Sequence, residues 1–384
     1  MYNETRRAAW VEIDLNALND NYRALRALAP NSAFIAAVKA DAYGHNAVKT
    51  SWELIKGGIE YLGVATLEEA VELRQTGIRT PIVLLNTTPR GNVKDLLDLK
   101  AIPVVASYED ASLLSKTARS TRSDRDVDIL VAVETGMGRL GVIFDEEGSR
   151  KIADMARLPR IRIAGIFSHF AAADDDPSFT LKQIEYFDRI VASLADMGIR
   201  PSIRTIANSA GIMRYPQAHY EVVRSGISLY GLYPAPDMND GTVSLRPVMS
   251  VRANIVLLRK VPAGFPISYG HTFYTERESL IGVLPLGYSD GLPRVISGRG
   301  RVIVNGVYAP LVGTITMDQA MVDLTDVPGV KEYDEAIVVG SDGALSVTAD
   351  EIAELSGTVN YEVTTRFGQR LPKIYKGVSW GRII

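Results

Sequence analysis

Residues 34–45 of the chain read FIAAVKADAYGH, and this stretch carries the pattern that decides the fold. The apolar run 34–38 has the length and composition of a buried β-strand, and it stops at Lys39. Runs that are nearly continuous in apolar residues are typical of a parallel sheet covered on both faces. An amine at the end of such a strand lies where parallel β/α proteins place their chemistry.

The same kind of unit recurs between residues 12 and 235. The eight apolar runs are FIAAVK, YLGVAT, PIVLLN, IPVVAS, DILVAVE, IAGIFS, SIRTIA and YEVVRSGI. Helix-like patterns separate most of them, and the clearest, 179–199, has apolar residues at helical spacing and a stop at Gly198. Eight such units in roughly 225 residues predict a (β/α)8 barrel, with a doubly wound open sheet as the alternative.

After about residue 240 the pattern changes to segments rich in β-branched residues, separated by Gly, Pro and Asn. Asn305-Gly306 between apolar flanks predicts a hairpin turn. We therefore predict a (β/α)8 barrel domain at residues 12–240 and a mostly β domain at 241–384, which residues 1–11 join.

Composition excludes several classes of function. The 384 residues carry a net charge of −3, so no basic surface argues for nucleic acid. The chain contains no cysteine, which excludes disulfides and thiolate metal sites and fits a cytoplasmic location. No apolar run approaches the roughly 20 residues of a membrane span. Asp174, Asp175 and Asp176 are adjacent in a loop that contains proline, which favours a solvated loop over a metal site.

Barrel enzymes gather their chemistry at the carboxyl ends of the strands. The residues predicted to lie there are Lys39, Arg139, His169, Asn208, Ser209, Arg224, Gly226 and Ile227. The loops after strands 7 and 8 often bind phosphate, and Ser209, Gly226 and Ile227 fall in them. A lysine on the same rim as a phosphate site indicates a Schiff base to pyridoxal 5′-phosphate (PLP).

Nine motifs then resemble, in their order along the chain, those of the alanine racemase family. They are AVKADAYGH, TGMGRLG, SHFAAAD, ANSAG, VRSGISLYG, SYGHTF, GYSDGLPR, TMDQ and NYEV. The resemblance implies a PLP-dependent isomerase that interconverts L-alanine and D-alanine and supplies D-alanine for peptidoglycan. It also implies a barrel followed by a β domain, and a homodimer with shared active sites, in which the β domain gives Tyr269 and Met317 to the partner's site.

Through this resemblance, Lys39 corresponds to the Schiff-base lysine and to the base on one face of the substrate Cα. Tyr269 corresponds to the base on the opposite face, with His169 and Arg224 in a line behind it that runs to the pyridine nitrogen. A tyrosine has a reference pKa of about 10, so holding it ionised at pH 7 costs on the order of 4 kcal/mol. Neighbouring cations must supply part of that free energy.

Arg224 discriminates between reactions. Arginine only donates hydrogen bonds, so a pyridine nitrogen that faces it must accept and carries no proton. The ring is then a weaker electron sink, which disfavours reprotonation at the wrong carbon. Barrel-type PLP decarboxylases place an acidic residue there, so Arg224 favours a racemase.

The resemblance also assigns residues around the substrate. Arg139 and the backbone N–H of Met317 correspond to groups that bind its carboxylate, and Arg139 also meets the cofactor's phenolic oxygen. Tyr288 and Tyr361 correspond to residues that narrow the entrance, and Asp174 lies near it. The phosphate ligands by resemblance are Tyr43 and Tyr361, and the remaining cofactor-binding positions are Asn208, Ser209, Gly226 and Ile227.

The chain departs from the family pattern at three positions. Ala132 stands seven residues before Arg139, where many members carry a lysine that steadies that arginine. Thr316 and Ser225 replace a common cysteine and a common proline. Three alternatives stay open: a racemase of serine or another small amino acid, a barrel-type PLP decarboxylase, and a non-catalytic PLP-binding protein. The β domain with Tyr269 argues against the last.

Overall fold

A computed structural model describes residues 7–87, 90–121, 125–368 and 370–377. The chain divides into two compact units. The barrel unit comprises Asn19–Ala42 and Ala47–Leu245, and the β unit comprises Met1–Leu18, Tyr43–Asn46 and Arg246–Ile384.

Both units consist of short strands and helices. In chain order the strands are β1 (Ala9–Asp14), β2 (Ala33–Ala37), β3 (Tyr61–Val64), β4 (Ile82–Leu84), β5 (Ala101–Val105), β6 (Val127–Glu134), β7 (Val142–Ile143), β8 (Ile161–Phe167), β9 (Ile203–Thr205), β10 (Val222–Ser225), β11 (Met249–Asn254), β12 (Leu257–Val261), β13 (Pro266–Ile267), β14 (Phe273–Tyr274), β15 (Ser279–Leu284), β16 (Arg301–Val304), β17 (Val307–Val312), β18 (Ala320–Asp323), β19 (Glu335–Asp342), β20 (Leu345–Val347) and β21 (Lys373–Lys376). The helices are α1 (Leu15–Leu28), α2 (Lys39–Tyr43), α3 (Ala47–Lys56), α4 (Leu67–Gln75), α5 (Val93–Asp98), α6 (Tyr108–Ser120), α7 (Glu146–Ala156), α8 (Pro177–Asp196), α9 (Ser209–Arg214), α10 (Ala349–Ser356) and α11 (Asn360–Arg366).

The barrel unit confirms the predicted (β/α)8 architecture. Its parallel strands run in the order β10-β2-β3-β4-β5-β6-β8-β9, with β7 paired to β6. The first barrel strand, β2, therefore pairs with the last, β10, which an open doubly wound sheet would not allow. At the remaining seam, the backbone N–H of Arg224 donates to the carbonyl of Ala207 over 2.9 Å.

The barrel core explains why the strand runs are continuous in apolar residues. One buried cluster draws on six of the barrel strands, and its members are Ile35, Val83, Val104, Leu130, Ala132, Phe167 and Val222. Because helices cover the outer face, the remaining residues of each strand are also largely buried. Each apolar run thus serves two packing layers.

The β unit is a mostly antiparallel sheet, as the β-branched segments predict. Its order is β12-β15-β18-β17-β16-β19-β11-β1-β21, with β20 paired to β19. The hairpin predicted at Asn305-Gly306 joins β16 to β17, and both turn residues have positive φ, 48° and 74°. The pairing of β1 with β21 is parallel and was not anticipated.

None of the helices within the described ranges has the length and apolarity needed to cross a membrane.

Candidate active site

Lys39 opens a left-handed helical turn at the carboxyl end of β2. Ala40, Asp41 and Ala42 all have φ between 52° and 54°, and Tyr43 continues the turn with φ 54°. L-residues lose about 1–2 kcal/mol each in this conformation. Such a run persists only when its surroundings hold it, and strain of this kind clusters at functional sites.

Three hydrogen bonds hold the turn within the barrel unit. The N–H of Ala42 donates to the carbonyl of Val38 over 2.8 Å. The carboxylate of Asp41 accepts from the N–H of Ala47 over 2.8 Å. The carboxylate of Glu69, in α4, accepts from the N–H of Ala40 over 2.7 Å. The chain direction directly after Lys39 is therefore fixed from both ends of the turn.

The amine of Lys39 is half-buried among cations. Burial, together with the charges of Arg139 and Arg224, lowers the pKa of Lys39 below its ordinary value, and Glu69 partly opposes this effect. A lowered pKa enlarges the neutral, nucleophilic fraction of the amine at pH 7.

Arg224 is buried in the rim, with its guanidinium stacked over the ring of Phe167 at 4.2 Å from the centroid. Its Nη1 donates to Thr205 Oγ1 over 2.7 Å, and its Nη2 donates to the carbonyl of Ser168 over 2.7 Å. Burial and Arg139 lower the pKa of Arg224 to about 9, so the guanidinium keeps its proton at pH 7. Among the described residues, none accepts a hydrogen bond from its Nε.

The hydrogen bond between Arg224 and His169 fixes the imidazole tautomer. Arg224 Nη2 lies 2.9 Å from His169 Nδ1. Because a guanidinium can only donate, Nδ1 accepts, and the proton of the neutral ring lies on Nε2. Burial and the charges of Arg224, Arg139 and Lys39 hold the pKa of His169 well below its usual range. His169 is therefore a neutral donor through Nε2.

Gln183, which sequence reasoning missed, supports the His169 loop. Its Nε2 donates to Thr135 Oγ1 and to the carbonyl of His169, both over 3.0 Å. Its Oε1 accepts from the N–H of Ala171 over 2.9 Å, and Thr135 Oγ1 lies 2.7 Å from Ser168 Oγ. The available signal was a glutamine on the apolar face of the 179–199 helix pattern.

The loops after β9 and β10 form a cradle of backbone donors. Ser209 Oγ accepts from the N–H of Gly226 over 2.9 Å. The side-chain oxygen of Asn208 accepts from the N–H of Gly211 over 2.9 Å and so caps α9. Within the described ranges, the N–H of Ile227 has no acceptor, which leaves a donor for an anion at this rim.

Arg139 lies in the loop after β6. The Glu134 carboxylate accepts from the N–H groups of Gly136 over 2.6 Å and Arg139 over 3.3 Å, and these loop donors lower its pKa. Glu134 thus shapes the loop, while the exposed Arg139 guanidinium has no hydrogen-bond or ion-pair partner in the described part of the chain. Ala132 is fully buried in the barrel core and offers it none.

Asp174 and its neighbours form a solvated loop. The carbonyl of Asp174 accepts from Arg214 Nη1 over 2.9 Å. The carboxylate of Asp176 accepts from the N–H of Phe179 over 2.9 Å and caps α8. The described residues contain no cluster of side chains suited to a metal ion.

The other predicted site residues belong to the β unit, and three of them are unusually exposed there. Tyr269 is 73% exposed, Met317 53% and Tyr288 41%. Their exposure leaves these three side chains accessible to a ligand or to another protein. Within the same unit, the rings of Tyr43 and Tyr361 lie 6.1 Å apart, centroid to centroid.

An ionic cluster holds the loop of Met317. Ser289 Oγ donates to the carbonyl of Met317 over 2.6 Å. Arg370 pairs with Asp318 over 2.9 Å, and the buried Asp290 carboxylate pairs with Arg7 over 2.7 Å. Asp318 therefore acts in this unit as an ion-pair partner that braces the loop.

Gly287 is predicted to tolerate no side chain. A Cβ there would lie 2.2 Å from the carbonyl oxygen of Thr316 and 2.5 Å from that of Met317. Because both contacts are backbone atoms, Gly287→Ala is expected to destabilise the protein by about 1–3 kcal/mol. The midpoint of thermal unfolding measures this, with Gly91→Ala, where a Cβ meets open space, as the control. Equal midpoints for the two variants would contradict the expectation.

Comparisons with known proteins match nearly the full length of the chain. A family model described as alanine racemase, N-terminal domain, matches residues 13–234, and one described as alanine racemase, C-terminal domain, matches residues 248–375. The alanine racemase of Clostridium tetani is 43% identical over 371 residues, which cover 96% of this chain and 95% of the relative. Alanine racemase 1 of Clostridium acetobutylicum is 40% identical over 370 residues, with the same coverage of both chains. Among solved structures, an alanine racemase from Clostridium difficile 630 superimposes with a TM-score of 0.93 at 34% identity, and 97% of each chain is covered.

Proposed function

The chain belongs to the alanine racemase family, and on that premise we propose that it interconverts L-alanine and D-alanine with PLP held by Lys39. The family's members are PLP-dependent isomerases, and the chain is an isomerase of this kind. The observation that carries the residue assignment is the buried Arg224–His169 pair beside the half-buried Lys39.

The rim fits PLP on three counts. Lys39 presents an amine of lowered pKa to an aldehyde. Arg224 has an Nε–H that no described residue uses, which suits the ring nitrogen. The N–H of Ile227, with Gly226 and Ser209 beside it, suits the phosphate. When bound, PLP supplies an electron sink for the charge left when the substrate loses its α-proton.

Two bases then move that proton. In one direction the phenolic oxygen of Tyr269 removes the α-proton from one face of the substrate Cα and Lys39 Nζ delivers a proton to the opposite face. In the reverse direction the two groups exchange these tasks, so the configuration inverts either way. His169, with its proton on Nε2, donates toward the tyrosine oxygen and favours its ionised form. The positive Arg224 behind His169 adds to that effect and keeps the tautomer fixed.

Other residues orient the substrate. Arg139 and the backbone N–H of Met317 hold its carboxylate, which keeps the Cα–H bond directed at a base. Tyr43 and Tyr361 complete the phosphate site, and Tyr288 and Asp174 narrow the entrance. We further propose that Asn208 contributes through the α9 cap that shapes the phosphate loop.

We also propose a homodimer in which the barrel domain, 12–240, binds PLP and the partner's β domain, 241–384 with 1–11, contributes a tyrosine base and a carboxylate-binding N–H. The exposure of Tyr269 and Met317 supports this assignment, because a catalytic base must be desolvated when it acts.

Subunit mixing tests the shared site. Lys39→Met and Tyr269→Phe proteins are each expected to be inactive alone. After subunit exchange, about a quarter of wild-type activity should appear, because half the dimers are mixed and each mixed dimer holds one intact site. Native mass spectrometry verifies that heterodimers form. Verified heterodimers without recovered activity would reject the shared arrangement.

Borohydride reduction of the PLP-loaded protein tests the assignment of Lys39. The pyridoxyl label is expected on the peptide that contains Lys39, and a label on another lysine would overturn the proposal. Chiral analysis of products from a panel of L-amino acids then separates alanine from serine as the preferred substrate. Supply of D-alanine for peptidoglycan is the role we propose, and cytoplasmic location stays a prediction.

A further inference from the structure

Glu69 joins helix α4 to the turn that follows Lys39. Its Oε2 accepts from the N–H groups of Ala65 over 2.7 Å and Thr66 over 3.2 Å, while Thr66 Oγ1 accepts from the N–H of Glu69 over 3.3 Å. The two bonds between Thr66 and Glu69 form a capping box at the start of α4, and the bond from Ala65 adds to it. A capping box needs only one carboxylate oxygen, and here that oxygen is Oε2.

The second oxygen of Glu69, Oε1, makes a hydrogen bond that a helix cap does not require. It accepts from the N–H of Ala40, outside α4, over 2.7 Å. Ala40 is the first left-handed residue after Lys39, with φ 52° and ψ 51°. One half-buried carboxylate therefore ties the start of a rigid helix to the backbone beside the amine-bearing residue.

We propose that Glu69 is a positioning residue for Lys39: its carboxylate holds the left-handed turn at Ala40 and so fixes the direction in which the Lys39 side chain leaves the backbone. This inference rests on the proposed function, in which Lys39 holds PLP. The turn is unfavourable for L-residues, so it needs an external anchor, and the charged hydrogen bond to Glu69 is a strong one.

The electrostatics agree with the geometry. The charged and titratable groups that act on the Lys39 amine are Arg139, Arg224, His169 and Glu69, and Glu69 is the anion of that set. It raises the pKa of Lys39 against the two arginines. A variant without this carboxylate is therefore expected to have a Lys39 amine that loses its proton at lower pH.

The test uses the full-length apoprotein and PLP itself as the probe. PLP is added, borohydride traps the product at set times, and mass spectrometry gives the rate at which the Lys39 peptide gains the pyridoxyl label. The rate is measured as a function of pH, which separates its limiting value from the apparent pKa of the amine. Thermal unfolding is recorded for each protein.

Glu69→Ala and Thr66→Ala form a matched pair, because both break the capping box and only the first removes the contact to Ala40. Glu69→Ala is expected to reduce the limiting labelling rate by about 10- to 100-fold, the effect of a misplaced reacting group. It should also lower the apparent pKa. Thr66→Ala should lower the unfolding midpoint but leave both labelling parameters near wild type. Glu69→Gln keeps a hydrogen-bond acceptor but loses the charge, so its limiting labelling rate should lie between those of wild type and Glu69→Ala. It replaces Glu69→Ala in the test if that variant does not fold.

Each outcome decides the question. Equal limiting rates in Glu69→Ala, Thr66→Ala and wild type would overturn the positioning role, as would equal losses in the two variants. Glu68→Gln, a neighbouring exposed carboxylate without the contact, should behave as wild type. A wild-type label on a residue other than Lys39 would instead reject the proposed function.

Discussion

Lys39→Met is expected to abolish racemisation, with a loss of at least about 10³- to 10⁴-fold in kcat. The Nζ atom is assigned two tasks, holding the cofactor and moving the α-proton, and general acid–base catalysis alone contributes about 10²- to 10⁴-fold. Methionine keeps most of the side chain's length but has no amine, so the packing at the end of β2 changes little. Chiral separation of alanine after incubation with the L-enantiomer measures the loss.

In the absence of PLP, Lys39→Met is expected to be more stable than the wild-type apoprotein. Burial and the two arginines lower the pKa of Lys39 in the folded state, so the unfolded chain binds the proton more readily. The charged amine therefore costs stability at pH 7, and this cost disappears as the pH rises toward its ordinary value of 10.5. Lys39→Met should therefore be more stable than wild type at pH 7, with less gain at higher pH, as chemical denaturation at a series of pH values measures. A less stable variant would contradict the described surroundings of Lys39.

Tyr269→Phe is expected to lose racemisation by about 10²- to 10⁴-fold while one half of the reaction survives. Lys39 remains able to take a proton from one face of Cα. In D₂O, one enantiomer of alanine should therefore exchange its α-proton for deuterium without inverting, and the other should stay unlabelled. Mass spectrometry after chiral separation gives both rates.

Tyr274→Phe is the matched control, since Tyr274 is another exposed tyrosine of the same unit, at 51% exposure. It should racemise alanine at the wild-type rate. If Tyr269→Phe exchanges deuterium into both enantiomers, or into neither, the assignment of one base to each face is wrong.

The fold was predictable because its signals are local. Each barrel strand is a short apolar run, and each run marks the start of one β/α unit. Eight units of this size predict a closed barrel. The hairpin at Asn305-Gly306 was predictable for the same reason, because two residues that tolerate positive φ stand between apolar flanks. These features need no knowledge of distant residues.

The details of the site were less predictable because they depend on contacts between distant residues. The left-handed turn has no glycine before Gly44, so nothing in its sequence marks it. Its anchor, Glu69, reads as an ordinary helix cap, and Gln183 reads as one polar residue in an amphipathic helix. The parallel pairing of β1 with β21 joins residues that are more than 350 positions apart, beyond any local pattern. The site residues themselves were proposed through motifs, and their roles stay predictions.

The position of β1 between β11 and β21 has a consequence for how the protein is made. Ribosomes synthesise a chain from its amino terminus, so the barrel strands, which lie between Ala33 and Ser225, emerge before most of the β unit. The amino-terminal strand cannot gain its second neighbour until residues 373–376 have been synthesised. Arg7 likewise cannot form its ion pair until Asp290 has been synthesised. The β unit is thus the last to reach its native state, and truncation near the carboxyl terminus should leave the first strand exposed to aggregation.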